Sequence, residues 1–180
     1  MNLFQSVCIG GAMDKHLLDD ELNCRLVALL LSEGRISHAE LAERLKVSRP
    51  TIIERVKRLE TEGIIQGYAA RVSAAALQKP TVAFVAVRYK ADNNEALEQR
   101  YVKSLEQEPD IIEAHHVAGE DCLLLKVVAD TPLGLNELLR QIRFLGPHVT
   151  TRTTVVLQTH FEKAGPSPFP SDTSGKKAKR

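Results

Sequence analysis

Between Arg44 and Arg58 the chain carries six cationic side chains, Arg44, Lys46, Arg49, Arg55, Lys57 and Arg58, and a single acid, Glu54. Guanidinium and ammonium groups gathered in so short a stretch suit one chemistry above others, the pairing of phosphates and other polyanions. Acids are absent from Arg44 through Ile53, whereas a merely solvated helical face usually mixes both signs. A second cluster, Gly119-Glu120-Asp121-Cys122, offers two carboxylates that can receive the ammonium group of a small ligand or can simply serve a turn. His115 and His116 are neighbours on an expected strand and point to opposite faces, so they cannot share one metal ion. His116 either hydrogen-bonds an effector or is satisfied by a partner inside the protein. Cys8, Cys24 and Cys122 are far apart, odd in number and without metal-ligand spacing, which argues for a reducing compartment and against a disulfide framework. No base stands at a recognisable spacing from Cys122, and neither a phosphate-cradling glycine loop nor a zinc signature is present. No metal, no cofactor and no enzymatic activity are therefore expected.

The basic cluster needs a scaffold, and the hydrophobic pattern supplies one. Leu22, Leu26, Leu29 and Leu30 form a single apolar stripe, which predicts a helix over 17–33. Ser37, with Glu40 three positions on, has capping-box spacing for a short helix that turns Leu41, Ala42 and Leu45 inward. Ser48 then caps a third helix, with Pro50 in its first turn, running to about Glu62 before Gly63. On a wheel at about 100° per residue, Ile52, Ile53, Val56 and Leu59 fall on the buried side, and Pro50, Thr51, Glu54, Lys57 and Arg58 fall on the far side. Arg49 lies at the helix start, within reach of a base edge or a phosphate. Arg55 sits at the flank, where an ion pair within the protein suits it better. A short helix, a tight turn and this third helix have helix-turn-helix spacing. An extended piece, 64–71, follows.

From Pro80 the period changes. TVAFVAVRY (81–89), a helix at 94–107, IIEAHHV (111–117), CLLLKVVA (122–129), a helix at 133–145 and TTRTTVVLQTHF (150–161) give the order βαββαβ of a ferredoxin-like domain. The fold class is α+β. Both faces of the 81–89 and 122–129 strands are apolar, yet two helices cover only one face. The other face is closed either by a second subunit or by the small N-terminal domain. The expected organisation is an N-terminal extension over 1–16, a helix-turn-helix domain over 17–68, a linker over 69–79, a sensing and oligomerisation domain over 80–163, and a basic Pro/Ser-rich tail over 164–180 whose composition predicts disorder. That tail either adds attraction to phosphate or serves solubility.

Bulk properties are those of a globular protein, with 43% hydrophobic and 26% charged residues in a chain of 180. The net charge of +1 averages a basic segment against an acidic one, since Asp14 to Glu33 holds five acids and two cations. The first residues lack the basic start and long apolar run of a signal peptide, and no apolar run reaches the roughly 18 residues of a membrane span. A cytoplasmic, nucleoid-associated location is expected.

The segment LDDELNCRLVALLLSEGRISHAELAERLKVSRPTIIERVKRLETEGIIQGY resembles the DNA-binding domain of the Lrp/AsnC, or feast/famine, transcriptional regulators, chiefly through GRIS at 34–37, ELAERL at 40–45, ERVKRLE at 54–60 and GIIQGY at 63–68. Residues 80–161 are similar to the family's ligand-sensing domain, of RAM type, through VAGEDCLLLKV at 117–127 and TTRTTVVL at 150–157. The resemblance implies a winged helix-turn-helix joined to a βαββαβ sensing domain, a homodimer that assembles further, double-stranded DNA as partner, and an amino acid or related metabolite as effector. It implies DNA contacts by Arg49, Pro50, Thr51, Glu54, Lys57 and Arg58. It implies effector contacts by Gly119, Glu120, Asp121, Cys122, Thr151 and Thr153. Departures from the family pattern are Lys46 where the turn often has glycine, Asn23 for a common aspartate, and Asp121-Cys122 for an aromatic residue followed by aspartate. Two other functions remain to be weighed: a protein that coats DNA without an effector, and a small enzyme built on the ferredoxin-like domain.

Overall fold

A computed structural model of the chain describes residues 15–89, 95–146 and 148–169. Two compact units divide it, Met1–Ala70 together with Glu162–Arg180, and Arg71–Phe161. Most of the expected N-terminal extension and residues 170–180 of the expected tail lie outside the described residues.

In the first unit the expected helix over 17–33 is broken into two pieces. Lys15–Leu18 makes a single 3-10 turn, and α1 runs over Glu21–Ser32. The break comes from Asp20, whose carboxylate accepts the amides of Leu22 at 2.8 Å and Asn23 at 3.4 Å. A short acceptor side chain that satisfies the first free amides starts a new helix rather than continuing an old one. Asn23 Nδ2 then donates to the Leu17 carbonyl at 2.8 Å, tying the turn onto α1. Helix α2, His38–Leu45, is capped by Ser37, which accepts from the Glu40 amide at 3.1 Å. The Glu40 carboxylate pairs with Arg44 at 2.6 Å. Lys46 ends α2 with φ 57° and ψ 42°, so the turn does demand the left-handed conformation at a position where lysine is strained by about 1 kcal/mol. Helix α3, Arg49–Thr61, starts at Ser48, which accepts from the Thr51 amide.

The core of this unit joins Leu26 of α1, Leu41 and Leu45 of α2, and Ile52, Val56 and Leu59 of α3. Ile53, placed on the buried side by its wheel angle, is 43% exposed. It lies one position, about 100°, from Ile52 and falls off the edge of a narrow stripe. The extended piece expected over 64–71 forms no strand. Gly63 (φ 71°) turns the chain so that the amides of Ile64 and Ile65 donate to the Leu59 carbonyl at 2.9 and 3.1 Å. The Tyr68 hydroxyl then donates to Glu60 at 3.0 Å.

The second unit follows the order β1 (Thr81–Arg88), α4 (Glu95–Glu106), β2 (Ile111–His116), β3 (Leu123–Ala129), α5 (Pro132–Phe144) and β4 (Thr150–Val155). The strands form one antiparallel sheet in the order β2-β3-β1-β4, the arrangement expected for βαββαβ. Ala83, Val85 and Val87 pair with Val127, Leu125 and Leu123 on one face, and Tyr101 and Leu105 of α4 with Leu135, Leu138 and Ile142 of α5 close over them. Strand β4 stops at Val155 rather than Phe161. Its last bond is Val156 N to Val82 O at 2.8 Å, and the partner strand β1 begins at Thr81, directly after Pro80, which has no N–H to give. On the opposite face Phe84 is 39% exposed, with Val82, Ala86 and Leu124 beside it only half-buried.

The strain at Lys46 can be tested directly. Lys46→Gly should raise the denaturant midpoint, with a gain of a few tenths to about 1 kcal/mol. An unchanged or lower midpoint in urea unfolding would mean that the left-handed turn is not strained by the lysine.

Candidate nucleic-acid interface and effector site

Helix α3 carries the six expected DNA-contact residues on its outer side. Arg49, Pro50, Glu54, Lys57 and Arg58 are exposed, and Thr51 is half-buried. The Thr51 hydroxyl lies 2.7 Å from Ser48 Oγ, so it belongs to the helix cap as well as to the outer face. Thr51, Glu54 and Arg58 also line a cleft with Leu17, Asp20 and Asn23.

Folding takes two of the six cations away from the basic segment. Arg44 is held by Glu33 at 2.5 Å and Glu40 at 2.6 Å. Arg55 donates to Asp20 at 2.5 Å and to Asn23 Oδ1 at 2.8 Å, the internal ion pair that its flank position favoured. The acids come from outside the acid-free stretch, where a linear count does not see them. Asn23, buried at 4% exposure, thus bonds both the Leu17 carbonyl and Arg55, a packing role. Lys46 and Arg49 stay exposed at the turn and the start of α3, and Lys57 stays exposed further along the helix. Sequence reasoning left out Asp20, the residue that links the N-terminus of α1 to α3; its signal was an aspartate in capping position before the leucine stripe.

In the second unit, Gly119 has φ 147°, a conformation that suits glycine. Glu120 is exposed and pairs with Arg88 at 3.1 Å. The Asp121 side chain, 19% exposed, pairs with Arg152 at 2.7 Å and lies 3.9 Å from Arg88. Cys122 donates its thiol to the Tyr89 carbonyl at 3.6 Å. Thr151 and Thr153 stand opposite Val87 and Val85, on the helix-covered side, where Arg143 donates to the Thr151 hydroxyl at 3.1 Å. Arg152 pairs with Ala86, on the other side with Asp121. The turn acids and the two threonines are therefore on opposite sides of the sheet within one chain. The carboxylate of Asp121, read from sequence as open to an ammonium group, already carries a guanidinium. Arg88 and Arg152 were missed, although Arg88 is a cation at the end of an apolar strand and Arg152 is the cation in the threonine-rich β4. His115 pairs with Glu113 at 3.3 Å and His116 with Glu98 at 3.0 Å, so His116 has an internal partner, one of the two roles expected for it.

Residues 19–66 match the family model of winged helix-turn-helix DNA-binding domains, and residues 82–166 match that of the Lrp/AsnC ligand binding domain. The HTH-type transcriptional regulator LrpA of Mycobacterium tuberculosis is 33% identical over 146 residues, covering 79% of this chain and 92% of that protein. The chain belongs to the Lrp/AsnC family. Its Lrp/AsnC relatives include a leucine-responsive regulatory protein of Rhizobium meliloti, 36% identical over 62% of this chain and 70% of that one. The crystal structure of the M. tuberculosis leucine response regulatory protein matches with a TM-score of 0.71 at 31% identity, over 83% of this chain and 99% of that chain. A feast or famine regulatory protein from the same organism, complexed with L-methionine, matches with a TM-score of 0.74 at 32% identity over the same shares. The family's winged helix-turn-helix has no strand among the described residues of the first unit here. No helix among the described residues is long and apolar enough to cross a membrane.

The Asp20–Arg55 pair gives a pH signature. The Arg55 guanidinium, ahead of the opposing effect of burial, holds the Asp20 carboxyl below its ordinary value of 3.8. A carboxyl lowered in the folded state stabilises fully above its unfolded value and loses that contribution as pH falls through the folded one. Stability should therefore drop below about pH 4, and Arg55→Ala should flatten that drop as well as lowering the melting temperature at pH 7. Parallel acid slopes for the two proteins would show that the pair is not coupled to folding.

Proposed function

We propose that the protein is a sequence-specific transcription regulator that reads DNA with the outer side of α3 and answers to an amino acid or a related small metabolite. The observation that carries this reading is the outward ridge of Arg49, Pro50, Thr51, Glu54, Lys57 and Arg58 directly after a helix-turn-helix turn. A helix entering the major groove by its N-terminal end presents such residues to base edges and flanking phosphates. The half-covered sheet face around Phe84 supports a homodimer, since exposed apolar area of this kind marks a contact surface. Such a dimer sets two recognition helices about 34 Å, or a multiple of it, apart.

For the effector, the turn Gly119, Glu120, Asp121 and Cys122 is the leading region, with Arg88 and Arg152 beside it. Two carboxylates and two guanidiniums together complement a zwitterion, whose carboxylate exchanges onto an arginine while its ammonium takes the vacated acid. Thr151 and Thr153 reach the same ligand only from another subunit. The ligand acts by binding one assembly or conformation more tightly than another. No catalytic role is proposed for any residue.

Lys57→Ala and Arg58→Ala should each weaken binding to a target promoter fragment. A side chain on phosphate lowers the salt slope by about 0.9, and one on a base edge loses about 1–3 kcal/mol at that position. Fluorescence anisotropy against promoter and random duplex over a salt series reads both. Equal affinities and equal slopes for the two duplexes would favour DNA coating without sequence preference. Arg152→Ala should abolish the ligand-dependent shift in melting temperature with the effective amino acid, while leaving ligand-free DNA binding intact. An unchanged ligand shift would take the site away from this turn.

A further inference from the structure

Helix α5 turns Leu135, Leu138 and Ile142 onto the sheet, and both its ends are fastened. At the start Thr131 accepts the Gly134 amide at 3.0 Å. Near the end Tyr101 donates to the Ile142 carbonyl at 3.1 Å, and Arg143 donates to Thr151 at 3.1 Å. The direction of its outer side is therefore set. At about 100° per residue, Leu133, Glu137, Arg140 and Phe144 fall within about 60° of one another, opposite the buried side. All four are exposed, Leu133 at 69% and Phe144 at 83%. Among the described residues no ion pair holds Glu137 or Arg140. Their spacing, i, i+4, i+7 and i+11, is the alternating four-and-three step of a coiled-coil seam. The residue types along it are also symmetric. Leu133 with Phe144, and Glu137 with Arg140, share one midpoint, between Leu138 and Leu139. If a second copy is laid antiparallel about that midpoint, Leu133 of each copy meets Phe144 of the other. Glu137 of each then meets Arg140 of the other. A parallel copy in register would set Glu137 on Glu137 and Arg140 on Arg140, so the order of charges selects the antiparallel arrangement.

We propose that the outer stripe of α5 docks antiparallel on the same stripe of a second copy of this chain, with Leu133–Phe144 contacts at both ends and two Glu137–Arg140 ion pairs across the two-fold axis. The stripe is about 16 Å long, so the contact is small and reversible, at the low end of specific interfaces. It is isologous, each copy offering the same patch. It also lies on the other side of the sheet from the half-covered face around Phe84, so one chain can use both surfaces at once. Two isologous contacts on opposite sides of one unit join pairs of chains into a closed ring or an open row. That multiplies the DNA-binding units carried by one assembly. The inference stands on the geometry of α5 and needs no part of the DNA reading.

The test is sedimentation velocity over a protein concentration series, with the full native chain, Glu137→Arg, Arg140→Glu, the double reversal, and Phe84→Asp. Either single reversal turns both ion pairs into like-charge contacts and should raise the dissociation constant of one association step about tenfold or more. The double reversal should return that constant to near the native value, because each pair is then restored with its signs exchanged. Both side chains are exposed, so circular dichroism should show the same helix content in all the reversal variants. Phe84→Asp acts on the sheet face and should leave the charge-sensitive step in place. Association that is lost in Phe84→Asp and indifferent to the reversals belongs to the sheet face and overturns the contact on α5. Single reversals without effect overturn it as well, as does a double reversal no tighter than the singles. A native chain that stays monomeric at every concentration overturns it too.

Discussion

The rotational setting of α3 is the constraint on which the rest depends. A helix of thirteen residues, Arg49–Thr61, is marginal alone in water, and its position is fixed by what it buries. Ile52, Val56 and Leu59 sit against Leu26 of α1 and Leu41 and Leu45 of α2, and each such side chain contributes about 1.5–3 kcal/mol when fully buried. Arg55, on the flank of that stripe, is held by Asp20 and Asn23, so the helix is tethered on its side as well as its underside. A slip of one residue would turn the ridge by about 100° and put Val56 in the place of Lys57 or Leu59 in the place of Arg58, according to its direction. The apolar stripe and the Arg55 bond together make the outer ridge a defined surface.

Charge is redistributed by folding in both units, and by the same means. Glu33, Glu40 and Asp20 reach into a basic segment and take Arg44 and Arg55. Arg88 and Arg152 reach onto an acidic turn and take Glu120 and Asp121. These pairs are exposed or half-exposed, and individually stabilise little. Their consequence is for recognition. The cationic ridge available to a polyanion is narrower than the sequence count, and the sensing turn is a balanced set of charges that a zwitterion can enter by exchange.

The periodicities made the βαββαβ order and the helix-turn-helix legible, because leucine and valine spacing reports directly on which side is buried. Capping residues were legible for the same reason: Ser37, Ser48 and Gly63 each meet a local backbone need that any tertiary setting leaves in place. Lys46 stood out only through the resemblance, at a turn position where the family often has glycine, and its φ of 57° came with the structure. What escaped was a local competition at one position and, elsewhere, non-local partners. Asp20 breaks the first helix because of its hydrogen bonds to Leu22 and Asn23, competing with a leucine stripe that runs through the break. Strand β4 ends early because its neighbour begins only at Thr81, after Pro80, a fact about the partner rather than about VVLQTHF. Ile53 lies just outside a stripe whose width only packing sets. The partners of Asp121 are distant in sequence, so its environment could not be read from the turn itself.

The central claim is that the ridge from Arg49 to Arg58 is the surface that meets DNA. A crystal structure of the protein on a duplex recovered from its own genomic binding sites tests it most directly. The account predicts α3 in the major groove, with side chains among Arg49, Thr51, Lys57 and Arg58 within about 3.2 Å of base edges or phosphate oxygens. A complex in which the duplex lies against another surface, with these side chains in solvent, would contradict it.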